Sequence, residues 1–127
     1  MIIQSDKSYR IGVVGSRKRT DKEAVTDMVE LLPRHYIVVS GGCRGVDTWA
    51  EDYAKSRGMK TMIFKPNLDN ITDKGDMVDR YYQRNEKIVK NIDALIAFVN
   101  KARTGGTENT IKWAIQYHVP IFIMEEK

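Results

Sequence analysis

Residues 36–47, Tyr36-Ile37-Val38-Val39-Ser40-Gly41-Gly42-Cys43-Arg44-Gly45-Val46-Asp47, hold an apolar run, a glycine-bearing loop and the opening of a helix-like stretch. The run is strand-sized and bounded by turn residues. Beyond it Val46, Trp49, Ala50, Tyr53 and Ala54 recur at i, i+3, i+4, i+7 and i+8, one face of an amphipathic helix, and Gly58 stands where that helix would be capped. The order occurs twice more: Val14-Gly15-Ser16-Arg17 closes the run from Tyr9 to Val14, and Thr104-Gly105-Gly106-Thr107 follows Ala94-Leu95-Ile96-Ala97-Phe98. At the carboxyl ends of parallel strands such loops gather backbone amides and helix N-termini around one crevice, where the positive ends of helix dipoles stabilise an anion. The sequence thus predicts a phosphate-holding protein.

Working outward, Thr20-Asp21-Lys22-Glu23 has the spacing of a capping box, and Ala24, Val25, Met28, Leu31 and Leu32 follow at helical spacing before Pro33. Thr61 to Phe64 reads as a third strand. The stretch from Lys65 to Met77, with Pro66, Gly75 and several aspartates, reads as the longest loop. A helix is expected from Val78 to Asn91, and Pro120 to Met124 is the last strand. Five nearly continuous apolar strands alternating with four helices predict an α/β fold: a single Rossmann-like three-layer sandwich with a five-stranded parallel sheet and right-handed crossovers. At 127 residues the chain is about one domain, so residues 1–127 are read as one unit.

The formal net charge of +4 with 30% charged residues suits a soluble protein that tolerates anions, without requiring nucleic acid. Cys43 is the only cysteine, and Met1 to Ile3 is too short for a signal h-region, so a reducing cytoplasm is expected. Apolar runs far below the ~20 residues of a spanning helix give no membrane partner. His35 and His118 stand far apart without cysteine clustering, and the aspartates from Asp69 to Asp79 read as a solvated connection, so no metal and no cofactor is expected. Gly15 is followed by Ser16, Arg17 and Lys18, which breaks the G-x-G-x-x-G dinucleotide fingerprint, and no glycine loop ends in Gly-Lys-Ser or Gly-Lys-Thr. Ordinary NAD binding and Walker-type ATP hydrolysis are therefore disfavoured.

Four segments in order resemble the SLOG superfamily, which joins DprA/Smf proteins, LOG phosphoribohydrolases and small YspA/YpsA-like nucleotide-binding proteins. They are Gly15-Ser16-Arg17; Ser40-Gly41-Gly42 with Arg44-Gly45-Val46-Asp47; Arg84-Asn85; and Gly106-Thr107 with Asn109-Thr110. The resemblance covers nearly the whole chain and is nearest the YspA/YpsA-like branch. It implies that the first and fourth strands lie side by side at a topological switch point. It further implies a ligand-binding set of Gly15, Ser16, Arg17, Gly41, Gly42, Arg44, Gly45, Asp47, Arg84, Asn85, Thr104, Gly105, Gly106 and Thr107. Arg17 and Arg44 would give planar bidentate donors to phosphate. Read without the resemblance, Gly41, Gly42 and Gly45 could serve only tight turns, Asp47 could complement a helix N-terminus, and Arg84 and Asn85 could be a solvated face and a structural amide. Cys43 reads as an incidental thiol.

The function implied is binding or sensing of a nucleotide or nucleotide-derived phosphate. Two other branches stay open. LOG-like hydrolysis of a nucleoside monophosphate would use a glutamate one turn after the Gly-Thr pair, a position held here by Thr110, with Glu108 out of register. DprA-type single-strand DNA binding would use Lys18, Arg19, Arg44, Arg84 and Lys101 to Arg103 as a groove, with Tyr81 and Tyr82 for stacking. No catalytic residue is assigned. On the last helix Ile111, Ala114, Ile115 and His118 read as the core stripe. Trp113 and Tyr117 then read as a second apolar face, suited to a homodimer or higher homo-oligomer or else to a broad core contact.

Overall fold

Val, Ile and Leu dominate the apolar runs, and in a computed structural model the three central runs become strands buried on both faces, while the two edge strands are half-buried or exposed. The structure describes residues 7–127; the reading of Met1 to Ile3 lies outside them. In chain order the elements are β1 (Arg10–Gly15), α1 (Lys22–Glu30), β2 (Ile37–Ser40), α2 (Val46–Ser56), β3 (Lys60–Ile63), α3 (Lys74–Lys90), β4 (Ala94–Phe98), α4 (Gly106–Gln116) and β5 (Ile121–Met124). All strand pairs are parallel, in the order β3-β2-β1-β4-β5. β1 therefore has β2 on one side and β4 on the other, and the direction of winding reverses between β1 and β4. Their register pairs Gly15 with Phe98, so the loops after both strands leave the sheet at the same level.

Successive side chains of a strand point to opposite faces, and the core divides accordingly. Val13, Ile96 and Phe98 join Val25 and Val29 of α1 and Val46, Ala50 and Ala54 of α2. Val14, Leu95 and Ala97 join Ile88 and Val89 of α3 and Ile111 and Ala114 of α4. Among the described residues no helix is long and apolar enough to cross a membrane.

Three local readings are corrected. α3 begins at Lys74, four residues before Val78, because Asp73 caps it by accepting from the Asp76 N–H at 2.8 Å. Its first turn is solvent-facing, so no apolar spacing announces it. Thr20 does not cap α1: Asp21 is the N-cap, and its carboxylate is held by Arg19 at 2.5 and 2.8 Å instead of closing a capping box. On α4 the buried stripe is Thr107, Thr110, Ile111 and Ala114, so Ile115 is 63% exposed and His118 lies beyond the helix end. Trp113 packs against the core, and the Tyr117 hydroxyl reaches Glu86 of α3 at 2.6 Å. The face read as an interface is thus largely the contact between α3 and α4.

Candidate functional site

The switch point is tied together by side chains as well as by strands. The Ser16 N–H donates to the Phe98 carbonyl at 3.0 Å, stitching the loop after β1 to the end of β4. Ser16 Oγ then accepts from Asn100 Nδ2 at 3.0 Å and from the Lys18 N–H at 3.2 Å. With both lone pairs engaged, the hydroxyl proton is left to donate. Asn100 also exchanges two hydrogen bonds with the Thr104 backbone, at 3.0 and 3.2 Å, which fixes the loop after β4. That loop ends at Gly105, whose φ of +99° is a glycine conformation. Gly105 offers no side chain to cap α4, so the first-turn N–H groups of Gly106 and Thr107 have no intrahelical partner.

The second glycine loop is organised from below. Asp47, 4% exposed, accepts from the Gly41 N–H at 2.9 Å and the Cys43 N–H at 3.4 Å. Above it Arg84, 7% exposed, donates to the Gly41 carbonyl at 2.7 Å, to Asn85 Oδ1 at 2.9 Å and to Cys43 Sγ at 3.5 Å. A Cβ on Gly41 would lie 2.6 Å from the Arg84 guanidinium, so glycine is what admits the arginine. Asn85 Nδ2 continues the chain to Asn109 Oδ1 at 3.1 Å and the Gly106 carbonyl at 3.4 Å. Arg84 and Asn85 are therefore a buried belt joining α3, the second loop and α4, and the solvated-face reading of Arg84 is wrong.

Burial raises the Asp47 carboxyl to about 6, against the lowering pull of its two N–H donors and of Arg84. A raised acid keeps its proton in the folded chain at pH values where the unfolded chain has lost it. The Asp47 contribution to stability is thus complete below about pH 4 and is lost as pH rises through about 6, a swing of about 3 kcal/mol. Asp47→Asn keeps an acceptor oxygen and removes the titration. The wild type is therefore expected to lose stability relative to this variant between pH 4.5 and 7, as read by urea denaturation at each pH; parallel curves would contradict the assignment.

Between these loops and α3 lies a cleft of about 510 Å³. Of the residues expected at the site, Gly15, Ser16, Arg17, Asp47, Arg84, Asn85, Thr104, Gly105, Gly106 and Thr107 border it. Gly41, Gly42, Arg44 and Gly45 are not part of its lining. The Gly41 carbonyl turns to Arg84, and Gly42 packs beside Ile63 and Lys65, so only Cys43 brings that loop to the cleft lining along with the buried Asp47. The ligand-binding set implied by the resemblance omits Lys18, Thr110, Tyr81 and Tyr82, which the sequence offers only to the DNA-binding and hydrolytic alternatives, and Val78 and Asn100, although all line the cleft. The aromatic pair was legible as stacking material, whereas a lone amide such as Asn100 gave no signal.

The available charge is concentrated at one end. Arg17 lies beside Cys43 Sγ at 4.0 Å, and the neighbouring Cys43 and Tyr81 groups raise its already high pKa, so it remains a cation. Arg19, by contrast, is 3% exposed and donates to the Val99 and Met124 carbonyls, both at 2.8 Å. Arg103 pairs with Glu108 at 3.0 Å. Arg19 and Arg84 thus drop out of the groove expected for DNA, since burial and carbonyl partners occupy their donors.

A parallel sheet wound both ways from β1, with carboxyl-edge loops framing a cleft, defines a Rossmann-like α/β protein. Residues 9–70 of the chain match the YspA, cpYpsA-related SLOG family. Among solved structures it is similar to DNA processing protein A (DprA) from Streptococcus pneumoniae, with a TM-score of 0.78 and 20% identity over 94% of this chain and 51% of that one. The chain spans about half the length of that protein, and the likeness is one of fold. It also matches the C-terminal domain of a hydrogenase from Pyrococcus furiosus, at a TM-score of 0.48 and 12% identity over 96% of this chain and 95% of that one. No curated protein matches the sequence.

Proposed function

We propose that the protein binds a nucleotide or nucleotide-derived phosphate ligand at the carboxyl edge of the sheet, between β1 and β4. One observation carries this reading: Arg17, Ser16, whose hydroxyl is left to donate, and the uncapped first turn of α4 all line the same cleft. Together they offer a bidentate cation, a short neutral donor and oriented backbone amides, the groups that hold a phosphate. The match of residues 9–70 to the SLOG family and the DprA-like fold support a role connected with nucleotides or nucleic acids. The test is native mass spectrometry of gently purified protein followed by a nucleotide panel in thermal-shift format. A ligand that binds only the folded state at 100 times its Kd stabilises it by about 2.7 kcal/mol. A panel without any shift would contradict the proposal.

The deep part of the cleft argues for binding without hydrolysis. Thr110, 2% exposed, donates to the Gly106 carbonyl at 3.3 Å, and the apolar Ile88 also lines the cleft. Glu108 is held by Arg103 and is not part of the lining. A threonine offers no carboxylate to stabilise an oxocarbenium-like transition state or to move a proton near neutral pH. Incubation with nucleoside monophosphates is expected to release no free base on chromatography. Base release at ordinary enzyme rates that Glu108→Ala abolishes would overturn this and make the chain a hydrolase.

A further inference from the structure

The cleft exceeds what a phosphate fills: its volume of about 510 Å³ falls among sites for whole small molecules, roughly 300–1,000 Å³. Its α3 side is built unlike the rest. Val78, Tyr81 and Tyr82 sit at i, i+3 and i+4 and so share one helix face, and all three line the cleft. Val78 is 40% and Tyr82 41% exposed, an apolar and aromatic surface left in water beside a polar loop system. Tyr81, on the same helix face, also meets the cations. The Arg84 guanidinium carbon is 5.5 Å from its ring centroid, and its hydroxyl interacts with Arg17.

We infer that Val78, Tyr81 and Tyr82 form a stacking platform for a nucleobase, so that the ligand is an intact nucleotide rather than a sugar phosphate or free phosphate. This rests on the phosphate site proposed above, with which the platform is continuous through Tyr81. A phosphate at Arg17 and Ser16 puts the remainder of a mononucleotide within the same cleft, and a planar heterocycle is the part whose face matches exposed tyrosine rings. Stacking tolerates any base but grows with ring area, so purines are preferred over pyrimidines.

The experiment is calorimetric titration, at one ionic strength, of AMP, CMP, ribose 5-phosphate and inorganic phosphate. AMP is expected to bind at least about tenfold more tightly than ribose 5-phosphate, with CMP between them, as base–aromatic stacking requires. Tyr82→Ala, at an exposed position, is expected to reduce the AMP preference severalfold while leaving ribose 5-phosphate affinity within about twofold. Tyr81→Phe, which keeps the ring, is expected to retain the preference that Tyr81→Ala loses, with circular dichroism confirming that each variant folds. Equal affinity for AMP and ribose 5-phosphate, both weakened by Arg17→Ala, would overturn the platform and leave the phosphate site standing. An AMP preference unchanged in both alanine variants would also overturn it. Absence of saturable binding by all four probes would overturn the proposed function and the platform together.

Discussion

Arg17→Ala is expected to weaken nucleotide binding by about 10- to 100-fold while the melting temperature stays within about 2 °C of wild type. The factor is what loss of one charge-assisted hydrogen bond, worth about 1.5–3 kcal/mol, produces. Stability is spared because the side chain has only a 4.0 Å contact to the Cys43 sulfur and the Tyr81 hydroxyl beside it, and no buried acceptor loses its donor. Arg17→Lys keeps the charge but not the planar fork, so its affinity should fall between the two. Titration calorimetry with AMP decides the matter. Equal affinities for wild type and Arg17→Ala would remove Arg17 from the phosphate site.

Arg84→Ala, one arginine away in function but buried, is expected to lower stability by about 3 kcal/mol or more. The Gly41 carbonyl and Asn85 Oδ1 each lose their short donor, and leaving a buried acceptor unsatisfied costs about 1–3 kcal/mol. For a domain of this size the melting temperature should fall by about 10 °C. Gly41→Ala should act on the same contact, because its Cβ would collide with the guanidinium at 2.6 Å. The double variant is then expected to be less destabilised than the sum of the singles, as residues in direct contact couple. Thermal and urea unfolding measure all three. A wild-type melting temperature for Arg84→Ala would mean that the belt from α3 to the second loop contributes nothing.

The contrast between these arginines shows where sequence reading stops. Along the chain Arg17 and Arg84 each adjoin a polar residue, and the resemblance assigns both to the site. Arg84 is turned inward only because Gly41, 43 residues earlier, lacks a side chain there. Arg19 likewise finds its carbonyl partners at Val99 and Met124, far along the chain. Neither relation leaves a local trace.

On α4 the difference has another origin. Counting apolar residues alone selected Ile111, Ala114, Ile115 and His118, whereas the buried face includes Thr107 and Thr110. Two threonines at i and i+3 begin the stripe four residues, about one turn, earlier and leave Ile115 exposed. A polar residue on a core face is invisible to hydrophobic periodicity when its hydroxyl is satisfied within the helix, as Thr110 is by the Gly106 carbonyl.

By itself the sequence determined the class of fold, because strand-length apolar runs alternating with helix-period stripes allow few arrangements other than a parallel sheet covered on both faces. It also fixed which loops lie at the carboxyl edge, since each glycine segment follows a strand. Only the tertiary structure decided which of those loops face one another. The β1–β4 pairing brings Ser16 and Asn100, 84 residues apart, to 3.0 Å, while the second loop is drawn away toward Arg84 and delivers Cys43 in place of Arg44. Strand propensity is local and can be read along the chain, but the partners of a buried polar group are set by packing between distant segments.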